Sequence, residues 1–202
     1  MDRSMSLYQL PEDLPAPEDD GACDHLPGMA LPSVPLLATH GRQIDLAALP
    51  SRTVVYAYPR TGRPNQPLPD NWDAIPGARG CTPQSCAFRD HHAELRELGA
   101  DVYGLSTQDT DYQQEAVERL HLPFALLSDN SLALTRALRL PTFEVDGMTL
   151  HKRLTLIIHD GAIEHVFYPV FPPDRNAGDV IAWLRENAES GRPTRDALAG
   201  DS

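Results

Sequence analysis

Gly80-Cys81-Thr82-Pro83-Gln84-Ser85-Cys86-Ala87-Phe88-Arg89-Asp90 carries two of the chain's three cysteines at the start of a predicted helix. Thr82 suits the N-cap, where a hydroxyl accepts a free backbone N–H. Pro83 suits the first helical position, where its missing N–H is no loss. Apolar positions then return from Phe88 at Leu95 and Leu98, with Arg89, Asp90, Glu94, Arg96 and Glu97 on the wet side and Gly99 placed to end the helix. The helix is thus expected to begin just after Cys81, leaving that residue at the positive end of the dipole, where the nucleophilic thiolate is favoured. If Cys81 and Cys86 both stay helical, their Cα atoms stand roughly 8–9 Å apart, beyond the roughly 7 Å that a disulfide spans. A bridge between them requires the first turn to unwind, which suggests a helix when reduced and a loop when oxidised.

The whole chain has 202 residues, 41% of them apolar, enough for one domain with tails. No run of about 18 apolar residues suggests a membrane span, and no basic segment followed by an apolar one marks a secretory signal. The expected location is the cytoplasm, with no membrane partner. A net charge of −12 argues against a nucleic-acid-binding surface. Three cysteines are too few for a disulfide framework, and their odd number leaves one thiol over. In a reducing compartment a closely spaced pair reads as catalytic, redox-active or metal-binding.

Residues 1–25 combine Pro11, Pro15 and Pro17 with Glu12, Asp13, Glu18, Asp19, Asp20 and Asp24, and read as a flexible acidic arm in which Cys23 is an ordinary free thiol. The domain is expected over residues 26–190, with a polar tail over 191–202. Val34–Thr39 and Ile44–Leu46 flank a glycine turn and form a small hairpin. Thr53–Tyr58 is β-branched, aromatic and apolar on nearly every position, as a central buried strand requires. Residues 60–80 hold Pro64, Pro67, Pro69 and Pro76 and form a long loop ending on Cys81, read as a wall or lid of the site. A strand over 101–106, a helix over 110–120, a short strand over 124–127 and a helix capped by Ser128 or Asp129 and running to Leu138 follow. Leu154–Ile158 and Ile163–Tyr168 make a second hairpin with an Asp160-Gly161 turn, and a last helix starts near Asp174. This order is that of an α/β sandwich of the thioredoxin-like type.

With these motifs in order, the chain resembles the peroxiredoxins, and within them the bacterioferritin-comigratory-protein or Q-type group, whose members carry a similar Gly-Cys-Thr-x-x-x-Cys-x-Phe-Arg-Asp run. The likeness continues through Val102–Ser106, Pro123–Asp129 and Arg153–Gly161, and covers residues 28 to 186. It implies a thioredoxin fold, with a central mixed sheet flanked by helices and an N-terminal hairpin. It also implies reduction of hydrogen peroxide or organic hydroperoxides without metal or organic cofactor, by a monomer or weak homodimer. By that resemblance Cys81 is the peroxidatic cysteine, oxidised to a sulfenic acid. Cys86 is the resolving cysteine that condenses with it to a disulfide, and a thioredoxin-like dithiol reduces the bridge. Arg153 matches the active-site arginine, and Gln84 matches a position that orients it. The family's Pro-x-x-x-Thr-x-x-Cys pattern is displaced here, because Ala74 and Ala78 stand at its proline and threonine positions. Pro59 matches the proline by its place after the strand, so Thr61 is the first candidate for the peroxide-binding hydroxyl and Thr82 the second.

Three other readings share these residues. A metal site from Cys81, Cys86 and His91 or His92 is one, but Sco-type copper chaperones use Cys-x-x-x-Cys, one residue shorter. A thiol–disulfide oxidoreductase would carry Cys-x-x-Cys, which is absent. A redox sensor without rapid turnover would use the same cysteines, and the inserted loop and displaced threonine keep that reading open.

Overall fold

The computed structural model describes residues 7–188. Seven strands among them form one mixed sheet: β1 (Pro35–Ala38), β2 (Gln43–Asp45), β3 (Arg52–Ala57), β4 (Ala100–Ser106), β5 (Leu126–Ser128), β8 (Leu154–His159) and β9 (Ala162–Phe167). Their order is β2-β1-β5-β4-β3-β8-β9, with β3, β4 and β5 parallel and the N-terminal hairpin at one edge. Side chains alternate across β3. Val54 and Tyr56 enter the core on one face with Phe88, Leu120 and Val180, while Val55 and Ala57 enter the core on the other with Leu36, Leu134 and Leu156. Both faces are covered, which is why the strand is apolar on nearly every position.

The first face is covered by α1 (Cys81–Asp90), α2 (His92–Glu97), α3 (Thr110–Leu120) and α5 (Asn176–Glu186). The second is covered by α4 (Ala133–Leu138) and by the chain from Cys23 to Leu46. Gly104 on β4 is a close-approach position, since a β-carbon there would stand 2.5 Å from Leu126 and 2.8 Å from the Tyr56 hydroxyl. No helix among the described residues is long and apolar enough to cross a membrane.

Four features differ from the sequence-based expectation. The cysteine helix begins at Cys81, with Gly80 rather than Thr82 as its N-cap, and it breaks at His91 into α1 and α2. Residues 7–25 do not stand away from the domain as an arm. Asp20 accepts hydrogen bonds from Lys152 Nζ (2.6 Å) and Tyr168 Oη (2.8 Å), and Cys23 and Leu26 are in the core. Apolar residues spaced through an acidic run each find a place, which composition alone conceals.

A third feature is a hairpin of β6 (Thr142–Val145) and β7 (Met148–His151), turning at Asp146-Gly147, where no element was anticipated. Its Phe143, Val145, Met148 and Leu150 pack on Trp72, Ile75 and Ala78 and hold the inserted loop in place. The fourth lies at α4, which starts only at Ala133, although the Asp129 carboxylate does accept from the N–H groups of Leu134 and Thr135. The polar tail expected beyond residue 191 lies outside the described residues.

Candidate active site

Strand β8 runs antiparallel to β3 with Leu154 opposite Ala57, so Arg153 comes level with the point where the chain leaves β3. The chain loops out there and returns at Gly80. This residue has φ +106°, a conformation that favours glycine. A β-carbon on it would collide with Pro173 and stand 2.8 Å from Leu10 Cδ2. Pro173 belongs to the 3-10 turn that leads into α5, so this close packing docks the first turn of α1 against the entry to the last helix.

Cys81 is 3% exposed. Its Sγ accepts from Arg153 Nη2 at 3.2 Å, and its thiol faces the Ala78 carbonyl at 3.7 Å. The Arg153 guanidinium is itself buried. Its Nε donates to Gly77 O (3.3 Å), Nη2 also reaches Ala78 O (3.0 Å) and Arg79 O (3.2 Å), and Nη1 donates to Gln84 Oε1. These acceptors are neutral, so among the described residues the arginine brings its positive charge to the sulfur without a carboxylate to quench it. The three carbonyls come from the end of the inserted loop. That loop therefore holds the arginine as well as delivering the cysteine.

Gln84 lies one turn into α1, fully buried. Its Nε2 donates to Asn176 Oδ1 at 3.0 Å, and the same oxygen accepts from Thr155 Oγ1 at 2.7 Å. With Nε2 committed to Asn176, Oε1 is directed at Arg153. Asn176 and Thr155 are members of the site that sequence reasoning missed. Thr155 was visible as a polar residue in an apolar strand, but Asn176 reads as an ordinary helix-start residue, and no spacing links either to Gln84.

Cys86 lies on the next turn of α1 and is half-buried. Burial pushes its thiol up from the usual range, with the nearby Arg89 charge opposing. Cys81 and Cys86 are both free thiols here. The inner face of α1 is fastened to the sheet by Tyr56, whose hydroxyl donates to Ser85 Oγ at 3.0 Å and whose ring stacks on Phe88 with centroids 4.5 Å apart.

Cys81 opens on a cavity of about 10 Å³ lined also by Thr82, Arg60, Trp72 and Arg79, at the lower limit for one water molecule. Arg79 is paired there with Asp73 at 2.9 Å. Thr61, the first candidate for a peroxide-binding hydroxyl, does not line this cavity. Its Oγ1 donates to Gln108 Oε1 at 3.4 Å, and its backbone N–H donates to the same oxygen at 3.0 Å. Thr82, the second candidate, is on the cavity wall. The histidines that follow the cysteines point elsewhere, His91 pairing with Glu94 and His92 packing on Phe124. Among the described residues no three His, Cys, Asp or Glu side chains converge on a site for an ion.

The family model described as Redoxin matches residues 26–181, which sets the class of protein as a redoxin. The chain is 32% identical over 168 residues to peroxiredoxin Bcp of Escherichia coli (strain K12), covering 80% of this chain and 96% of that protein. It is 30% identical over 160 residues to the chloroplastic peroxiredoxin Q of Oryza sativa subsp. japonica, where the match covers 78% of this chain but 66% of the relative, just under two thirds. The chain belongs to the peroxiredoxin family, in the Bcp and peroxiredoxin Q group. Its fold is similar to that of the crystal structure of peroxidoxin BcpB from Mycobacterium tuberculosis, with a TM-score of 0.66 at 24% identity, covering 80% of this chain and 98% of that one.

Proposed function

We propose that this chain is a thiol-dependent peroxidase that reduces hydroperoxides through Cys81 and is recycled by a thioredoxin-like dithiol. The observation that carries the reading is the 3.2 Å contact of a buried guanidinium, with no carboxylate partner among the described residues, with the sulfur of a cysteine in the first turn of a helix. Both features favour negative charge on that sulfur. The Cys81 thiolate attacks the terminal peroxide oxygen. An S–O bond forms as the O–O bond breaks, and the departing alkoxide or hydroxide takes a proton to leave as alcohol or water. Arg153 neutralises the charge that shifts from sulfur to the leaving oxygen. Gln84, held by Asn176, orients Arg153, and the hydroxyl role falls to Thr82 rather than Thr61.

The resulting sulfenic acid is attacked by the Cys86 sulfur, and water leaves as the disulfide forms. Two helical residues five apart are too distant for that bond, so α1 must unwind around Cys81 before it closes. Release of the Tyr56–Ser85 hydrogen bond belongs to the same step. The external dithiol then reduces the bridge by exchange. The cycle needs neither metal nor organic cofactor. We place it in the cytoplasm, in a monomer or weak homodimer.

The test is stopped-flow consumption of hydrogen peroxide by the reduced protein, followed by peptide mapping of the thiols. Fast oxidation with a Cys81–Cys86 bridge is expected. Cys81→Ser should abolish it, and Cys86→Ser should allow one turnover and then stop at the sulfenic acid. Full steady-state rates in Cys81→Ser would overturn the mechanism.

A further inference from the structure

The N-terminal segment crosses the mouth of the Cys81 cavity, and the peroxidase cycle makes no use of it. Leu7 lines the cavity directly. It packs on the inserted loop at Gly62, where a β-carbon would stand 2.8 Å from Leu7 Cδ2, and Leu10 packs in the same way on Gly80 beside the cysteine. Between them Tyr8 is exposed, but its hydroxyl accepts a hydrogen bond from Arg119 Nη1 at 3.2 Å. The same guanidinium donates through Nη2 to Gly62 O at 2.9 Å. Arg119 is held in turn by Glu115, one turn earlier on α3, at 2.6 Å. One arginine thus ties strap and loop together over the cysteine.

The space beside the sulfur is small. About 10 Å³ is at the lower limit for one water molecule, whereas a cavity that takes up an aryl ring is on the order of 150 Å³. A cleft of about 410 Å³ shares Arg60 with this cavity, and another of about 500 Å³ is lined by Arg153, but Cys81 lines neither.

Taking Cys81 as the peroxidatic residue, on which this inference rests, we propose that residues 7–10 set substrate size. Leu7 and Leu10, latched by Tyr8 to Arg119, restrict the site to hydrogen peroxide and comparably small hydroperoxides. The side chain of a bulky organic hydroperoxide would have to occupy the space that Leu7 fills.

The experiment compares the full chain, a chain lacking residues 1–11, and Tyr8→Ala, which loosens the latch without touching the cavity. Oxidation of each reduced protein by hydrogen peroxide and by cumene hydroperoxide is followed by tryptophan fluorescence, since Trp72 lines the cavity. The preference for hydrogen peroxide over cumene hydroperoxide is expected to fall at least about tenfold on truncation, the factor that about 1.4 kcal/mol of strap contacts imposes. A smaller fall in the same direction is expected in Tyr8→Ala. A preference in the full chain within about twofold of that in both variants would overturn the strap while leaving the peroxidase reading intact. If neither peroxide oxidised Cys81 in any of the three proteins, the peroxidase reading would be overturned and this one with it.

Discussion

Replacing Arg153 with Met keeps the unbranched apolar stem of the side chain and removes the guanidinium, with its charge and its donors. In the folded protein those donors serve three carbonyls of the inserted loop, the Gln84 amide oxygen and the Cys81 sulfur. A hydrogen bond to a charged group is worth about 1.5–3 kcal/mol. If the bond to sulfur acts wholly on the transition state for peroxide attack, its loss slows that step roughly 10- to 150-fold.

Arg153→Lys separates charge from geometry. A single ammonium cannot hold Gln84, the loop carbonyls and the sulfur together, so its rate is expected between the other two. The assay is the second-order rate of oxidation of each reduced protein by hydrogen peroxide, with urea unfolding run alongside to separate chemistry from stability. The reasoning is refuted if Arg153→Met is oxidised within about twofold of the parent. It is equally refuted if the loss falls only on the later step in which Cys86 attacks.

Asn176→Ala strands the buried Gln84 amide and Thr155 hydroxyl. It should lower stability by roughly 2–6 kcal/mol in urea titrations, at about 1–3 kcal/mol for each unpaired group, and slow peroxide attack. Asn176→Asp keeps the acceptor oxygen and should restore the rate; no rescue would remove Asn176 from its positioning role. Cys23 is held up to about 12 by burial and by the negative charges of Asp20, Asp19 and Asp24. Its thiol should therefore stay free after repeated peroxide cycles, with iodoacetamide labelling only the unfolded chain, and oxidised Cys23 in peptide maps would contradict this. Burial pushes His151 down to about 4 against the pull of Asp129, so the folded protein keeps it neutral while the unfolded chain takes up a proton below pH 6.5. This contribution to stability is complete above about pH 6.5 and is lost as the pH falls towards 4, by roughly 3 kcal/mol in all. Urea midpoints for the parent and His151→Gln at descending pH should converge, and parallel curves would exclude it.

The elements that were legible in the sequence are those fixed by local pattern. Thr53–Tyr58 declared a strand buried on both sides because both its faces are apolar, and α3 and the β8–β9 hairpin followed from periodicity and an Asp-Gly turn. Cys81, Gln84 and Arg153 were named from motifs, and they do lie together. Thr61 was named from its nearness to Pro59 along the chain, but its hydroxyl faces Gln108 because the loop direction after β3 is set by partners far away in sequence. The hairpin of β6 and β7 escaped notice because its apolar residues have no meaning until Trp72 and Ile75 are laid against them. The placement of residues 7–10 over Cys81 escaped notice for the same reason.

By itself, the sequence determined the order along the chain of the strands of the main sheet, the cysteine pair at a helix start and the family resemblance, since each is carried by runs of residues close together in the chain. Tertiary structure alone decided that Asn176 and Thr155 orient Gln84 and that three loop carbonyls hold Arg153. It also decided that Leu7 lines the cavity above the cysteine while Leu10 packs on Gly80. Those contacts join residues about 20 to 100 positions apart, and no local preference of the chain specifies them until the sheet has brought its ends to one place.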